Sequence, residues 1–265
     1  MAPESSLQLV RKSVELLDQL AELREATAAQ LAERMGEPRS SVYRLISSLQ
    51  ALDMVEAGSR RGTFRLGFHL LRLGSAVVSR FDERQLALPV MEHIHEETGE
   101  TVFLCVRRGL EAVCIERIDG QRVQTHALRL GGSLPLHAGA APRALLAHES
   151  REFWNEYVTE KVAGLERFTP STPTTAEELF PLLEDIRAGA VSVSDEDVNI
   201  GIAALGVPIL DYRGVVRGAL SVSGVKQTII GSSAGRVREL LVQGGQEVSR
   251  ALGSELAGEP LANLG

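Results

Sequence analysis

Apolar residues recur three and four positions apart through the first fifty residues, with polar residues between them. Leu9, Val10, Val14, Leu17 and Leu20 mark one amphipathic helix. Thr27-Ala28-Ala29-Gln30 is a capping-box pattern that starts a second, short helix running to about Met35. That helix must stop at Gly36, the residue type that best tolerates the left-handed C′ conformation, and Pro38 opens a third helix. In the third, Val42, Leu45, Ile46 and Leu49 fall at the i, i+3, i+4, i+7 spacing of one buried face. Its other face is short and hydroxylic: Ser40, Ser41, Tyr43, Arg44, Ser47 and Ser48 carry a single, positive charge, where a solvated face would carry Glu and Lys in i,i+4 pairs.

Two helices around a turn of about three residues predict a helix-turn-helix. Val55 to Leu66 follows as two short strand-like pieces around the Gly-flanked basic turn Ser59-Arg60-Arg61, the pattern of a wing. Ser, Tyr and Arg are side chains that hydrogen-bond phosphates and base edges, so Arg39, Ser40, Ser41, Tyr43, Arg44, Ser47, Arg60, Arg61 and Arg65 are the expected contacts to double-stranded DNA.

The pattern then changes. Phe68, Leu70, Leu71, Leu73, Val77 and Val78 give the stretch 67–84 too much apolar surface for a helix standing alone, and predict packing on a partner subunit. From Thr101 two β-rich runs flank Arg108-Gly109 as a hairpin, and Arg122 to Leu130 reads as a third strand. "AGAAPRALLAHES" reads as a helix with Pro142 in its first turn. "TPSTPTT" is a loop ending in a cap for a helix over 176–188. A hairpin turning at Asp211-Tyr212-Arg213-Gly214 and a helix over about 233–252 complete the chain. Antiparallel hairpins flanked by helices make the C-terminal part α+β.

Charge sharpens this reading. The chain has 265 residues, 44% of them hydrophobic, and a net charge of −7, which argues against non-specific coating of nucleic acid. Residues 1–68 hold nine basic and nine acidic residues, and 39–65 hold five basic against two acidic. A local positive patch on an acidic protein suits a module that reads one DNA site while the remainder repels DNA. The absence of a run of eighteen apolar residues and of a hydrophobic leader predicts a soluble, cytoplasmic protein with no membrane contact. Cys105 and Cys114 are too few for a disulfide framework or a thiolate metal site and read as buried, reduced thiols.

"GSLPLHAGAAPRALLA" (132–147) and "GVPILDYRGVVRGALSVSG" (206–224), preceded by a winged helix, resemble the IclR family of bacterial transcriptional regulators over about 5–252. The resemblance implies a winged helix-turn-helix over 1–68, a linker and dimerisation helix over 69–85, a GAF-like effector domain over 86–252 and a loose tail over 253–265. It also implies homodimers or tetramers on palindromic operators, and small organic acids or aromatic compounds as effectors. By the same resemblance the effector pocket is lined from Leu134, Ala140, Ala141, Asp195, Ala204, Ser221 and Ser223, to which Thr125 and Trp154 are added as candidates. The chain departs from the family in having Pro142-Arg143 where relatives have Gly-Lys, and Gly201-Ile202-Ala203-Ala204 where they have Gly-x-Arg-Cys.

Ser221 and Ser223 sit two apart on a strand, so both hydroxyls face one side and need partners there, either neighbouring backbone or a bound carbonyl or carboxylate. Trp154 is either a pocket wall or plain helix packing. His126 is either a pocket donor or a surface strand histidine. His93 and His95 fall on a helix, where side chains two apart diverge, so no metal is expected, nor any cofactor. The apolar strand at 202–210 and three acids at 195–197 predict an aromatic acid or a neutral derivative ahead of a compact keto acid. The competing class is an enzyme or small-molecule binding protein whose winged helix contacts RNA or protein. G-x-S-x-G is absent around Ser221 and Ser223, and the sequence has neither G-x-x-x-x-G-K-[ST] nor G-x-G-x-x-G, so no catalytic motif supports it.

Overall fold

The computed structural model describes residues 3–78, 82–121, 128–160, 164–231 and 234–254. The chain divides between residues 80 and 81 into two compact units.

In the first unit, α1 (Pro3–Leu23) is followed by the short strand β1 (Ala26–Thr27), α2 (Ala28–Met35) and α3 (Arg39–Gln50). The capping box forms: Gln30 donates its amide to the Thr27 hydroxyl at 3.3 Å and its side-chain oxygen accepts the Thr27 amide at 2.9 Å. Gly36 ends α2 at φ 63°, and Pro38 is the N-cap of α3. Leu16 and Leu20 from α1 meet Leu31 from α2 and Val42, Leu45, Ile46 and Leu49 from α3 in one core, because each helix buries its apolar stripe against the other two. β2 (Val55–Ala57) and β3 (Thr63–Leu66) pair antiparallel, and β3 also pairs with β1. The helix α4 (Phe68–Val78) follows, with Phe68, Leu71 and Leu73 exposed; residues 79–81, inside the expected linker, lie outside the described residues.

In the second unit, α5 (Asp82–Thr98) leads into β4 (Thr101–Arg108), β5 (Glu111–Ile118) and β6 (Ser133–Pro135). Then come α6 (Ala140–Ala147), α7 (Arg151–Glu160), α8 (Ala176–Arg187), β7 (Ser192–Asp195), β8 (Ile202–Leu210), β9 (Val216–Val225), α9 (Lys226–Ile229) and α10 (Ala234–Ala251). The six strands form one antiparallel sheet in the order β6-β5-β4-β9-β8-β7. Both predicted hairpins are present, with Gly109 at φ 59° and Gly214 at φ 73° in their turns. The segment paired with β5 at the sheet edge is Ser133–Pro135; of the expected third strand over 122–130, residues 122–127 lie outside the described residues. Ser254 is buried and its amide bonds to the Ser249 carbonyl, so the expected tail at first continues the packed end of α10; residues 255–265 lie outside the described residues.

Strand alternation assigns the two faces of this sheet to two cores. Leu104, Leu205, Val207, Leu220 and Val222 pack with α5 and α10, and Phe103, Cys105, Leu134 and Ala219 pack with α6, α7 and α8. Cys105 and Cys114 are cross-strand partners, both free and buried; their mutual hydrogen bond and burial push the Cys105 thiol pKa up. Among the described residues no helix is long and apolar enough to cross a membrane.

Candidate nucleic-acid interface and effector cleft

The hydroxylic face of α3 is open. Arg39, Ser40, Tyr43, Arg44, Ser47 and Ser48 are exposed, and Ser41 is half-buried. The Ser47 and Ser48 hydroxyls donate to the carbonyls four residues back, Tyr43 and Arg44, each at 2.9 Å. Their lone pairs stay outward, and the guanidinium of Arg44 is the cationic group at the middle of the face. Arg60 and Arg61 are exposed in the turn between β2 and β3. Arg65, also exposed, donates its Nε to Glu56, its cross-strand partner, at 2.7 Å. Opposite charges facing each other across two strands pair in this way, and at the surface such a pair is weak.

The second unit holds a small cleft between the sheet and the first turn of α6. Small side chains make the space. Ala204 of β8 and Ala140 and Ala141 of α6 line it, and Gly206 is required beside it, because a Cβ there would meet the Ala140 carbonyl carbon at 2.7 Å. Phe103, Leu128 and Leu134 supply apolar walls, while Ser194, Asn199, Ser221 and Ser223 are polar. Ser221 and Ser223 are buried, and neither hydroxyl makes a hydrogen bond among the described residues, so neighbouring backbone does not satisfy them. The amides of a first helical turn have no intrahelical acceptor, and those of Ala140 and Ala141 border the same cleft.

Leu134, Ala140, Ala141, Ala204, Ser221 and Ser223 are thus brought together, and Asp195 and Trp154 are not. Asp195 is turned away: β7 alternates buried and exposed positions, so Ser192 and Ser194 point inward and Asp195 outward, where it pairs with Lys226 Nζ at 2.7 Å. Trp154 is fully buried in helix packing, with Nε1 donating to the Leu146 carbonyl at 2.7 Å and its ring between Phe180 and the Arg151 and Arg187 guanidinium groups. Thr125 lies outside the described residues, as does His126. On α5, His93 is exposed and His95 Nδ1 lies 2.9 Å from the Glu100 carbonyl.

The acids at 195–197 do not act as the sequence suggested. Lys226 Nζ lies 2.7 Å from Asp195 and 2.9 Å from Glu196, and first Lys226, then the Gly201 amide, lowers the Glu196 carboxyl pKa. Asp197 is buried and ion-paired with Arg143, whose guanidinium also donates to the carbonyls of His137, at 3.1 Å, and Val193. Asp197 further accepts the Ser194 hydroxyl and, at 3.3 Å, the Gly139 amide at the start of α6. Behind it, His137 is fully buried. Its Nε2–H donates to the Glu166 carbonyl at 2.8 Å, and Nδ1 accepts the Tyr157 hydroxyl at 2.7 Å, which burial keeps protonated by raising its pKa. Each acid is therefore matched to a cation, and the cleft is not closed to an anion. The missed residues include Phe103, Leu128, Ser194 and Asn199 in the cleft, and the Arg143–Asp197 pair behind it. An arginine inside the apolar run Ala140–Ala147 was the available signal, since a buried cation demands an acid.

Two family models match this chain: the IclR helix-turn-helix domain over residues 9–58, and the bacterial transcriptional regulator IclR C-terminal domain over residues 75–250. The chain belongs to the IclR family of bacterial transcriptional regulators. Among IclR-type relatives, the HTH-type transcriptional repressor AllR of Escherichia coli strain K12 is 31% identical over 216 residues, 82% of this chain and 79% of AllR. The regulator KipR of Bacillus subtilis is 29% identical over 92% of this chain and 96% of its own. The Thermotoga maritima IclR crystal structure superposes with a TM-score of 0.78 at 29% identity, covering 93% of this chain and 99% of that one. An IclR homologue from Microbacterium hydrocarbonoxydans, solved with 4-hydroxybenzoate, gives 0.79 at 26% identity over 92% of this chain and 98% of that one. As an IclR regulator the chain binds DNA through its helix-turn-helix and carries a C-terminal ligand-binding domain; its relatives are regulators and not enzymes.

Proposed function

We propose that this regulator is a homodimer that addresses a palindromic operator with α3 and the wing, and that its effector is an aromatic carboxylate. The observation that carries the effector is the division of the cleft. Phe103, Leu128 and Leu134 form one apolar part, and the hydroxyls of Ser221 and Ser223, which make no hydrogen bond among the described residues, share the polar part with the first turn of α6. A flat ring fits the apolar walls, and a carboxylate supplies acceptors to serine hydroxyls and amides together. A carboxylate is preferred over an ester or amide, since the three nearby acids are paired with Lys226 or Arg143. That the Microbacterium homologue was solved with 4-hydroxybenzoate supports the same ligand class.

For DNA, Arg44, exposed on α3, reads a base edge in this proposal, and the exposed Arg60 and Arg61 meet phosphates or the minor groove. Apolar side chains exposed on α4 (Phe68, Leu71, Leu73) and α1 (Leu7, Leu9, Val10) are the surface a second copy would cover. A two-fold dimer then reads half-sites about one helical turn apart, or a multiple of it.

The effector reading is tested by titrating 4-hydroxybenzoate, its methyl ester and glyoxylate, following calorimetric heat and melting temperature, which any ligand selective for the folded state raises. The acid should saturate and stabilise, and Ser221→Ala with Ser223→Ala should abolish it. Saturation by glyoxylate alone sinks the ligand class, and an acid response that survives the double substitution removes the serines from the site.

A further inference from the structure

The wing turn is gathered onto one carboxylate. Glu25, in the segment joining α1 to β1, accepts the Ser59 hydroxyl at 2.7 Å and the Arg60 amide at 3.0 Å, and also meets the Thr63 hydroxyl. The turn closes on itself as well: Gly58 donates to the Thr63 carbonyl at 2.8 Å and Thr63 to the Arg60 carbonyl at 3.2 Å. A Cβ at position 58 would meet both the Thr63 hydroxyl and the Glu25 carboxylate, so any larger residue there would push the carboxylate out of its place. Glu25 keeps only 18% of its side-chain surface exposed, whereas Arg60 keeps 77%. The Thr63 hydroxyl first, then the Ser59 hydroxyl and the Arg60 amide, hold the Glu25 carboxyl pKa down at about 2, so it is an acceptor at any working pH.

We propose that Glu25 is a positioning residue for DNA binding: by collecting Ser59, Arg60 and Thr63 it fixes the turn 58–63 in the shape that presents Arg60 and Arg61 to the DNA backbone. This rests on the reading that the wing meets DNA. A carboxylate near phosphates is repulsive, so deleting one that does nothing else strengthens binding. Deleting a clamp weakens it, since two freed arginines must be ordered again on the phosphates. Arg60 Nε lies 3.9 Å from Glu25, at the limit of an ion pair, so the carboxylate holds the backbone of the turn more than it neutralises the cation.

The test is operator affinity of the full-length protein against salt, on a duplex defined by footprinting upstream of its own gene. Glu25→Ala should bind more weakly, and its slope of log K on log salt should fall by about two, roughly 0.9 for each phosphate that an arginine no longer neutralises. Its discrimination against an operator with a mutated half-site should be unchanged, because α3 is untouched; a merely unfolded domain would lose that discrimination. Ser59→Ala with Thr63→Val removes two hydroxyl donors at constant charge and should shift the slope the same way, even where Glu25→Ala folds poorly. Affinity that is equal or tighter in both variants overturns the clamp. A slope that falls for Arg60→Ala with Arg61→Ala but not for the clamp variants overturns the clamp alone. An unaltered slope in the arginine variant removes the wing from DNA and the proposal with it.

Discussion

Replacing Arg143 by Met should destabilise the C-terminal unit more than almost any other single change. Both partners of the Arg143–Asp197 pair have side chains only 3% exposed, and Arg143 donates to two carbonyls besides. Methionine fills similar volume, so the cost is chiefly that of leaving Asp197 charged and buried with only the Ser194 hydroxyl and the Gly139 amide. Losing one partner of a buried pair costs about 3–5 kcal/mol. For a unit of this size each kcal/mol moves the melting temperature by about 2–4 °C, so a drop of roughly 6–20 °C is expected. Circular dichroism melts of Arg143→Met, Asp197→Leu and the double variant supply the assay. The double should recover much of the loss, because removing both charges leaves none uncompensated. Since Asp197 also holds the Gly139 amide at the start of α6, Arg143→Met should weaken 4-hydroxybenzoate binding even well below its melt. If Arg143→Met melts within a couple of degrees of the parent, or the double is the sum of the singles, the pair is not the anchor of α6.

Three further outcomes follow from the same structure. Arg44→Ala should cost about 1–3 kcal/mol of operator binding and relax specificity at one position of each half-site, measured by fluorescence anisotropy on a panel of single-base operators. Leu71→Glu, placing a charge on the exposed face of α4, should yield monomers in analytical ultracentrifugation with only non-specific DNA affinity; an unaltered dimer rejects α4 as the interface. Cys105 and Cys114, buried with the Cys105 pKa raised, should resist thiol reagents until the unit unfolds; rapid labelling at native pH would contradict their burial.

What was legible in the sequence is what short-range chemistry controls. The capping box at Thr27, the left-handed stop at Gly36, the glycine-bearing turns at 109 and 214 and the apolar stripe of α3 depend on neighbours within four residues, and each is where the pattern put it. The cleft depended on more. Strand period predicts that Ser221 and Ser223 share a side, and they do, but it cannot tell whether Ser194 or Asp195 faces inward. That phase is set by pairing with β8, where Ser194 lies opposite Ala204. The acids of 195–197 counted as three unpaired charges only because their cations, Lys226 and Arg143, lie some thirty to fifty residues away in sequence. Trp154 could not be placed until α7 was seen buried against α6 and α8.

Coupling of an aromatic carboxylate in the cleft to operator binding by α3 and the wing is open to measurement of both affinities on one sample. Operator affinity is measured with and without saturating 4-hydroxybenzoate, and 4-hydroxybenzoate affinity with and without operator. Linkage requires the two ratios to be equal. A common factor of about 5–150 is expected, the usual range for coupled sites, and it should disappear in the Ser221→Ala, Ser223→Ala protein while the ligand-free operator affinity is retained. A 4-hydroxybenzoate that binds in the cleft but leaves operator affinity unchanged would contradict the coupling.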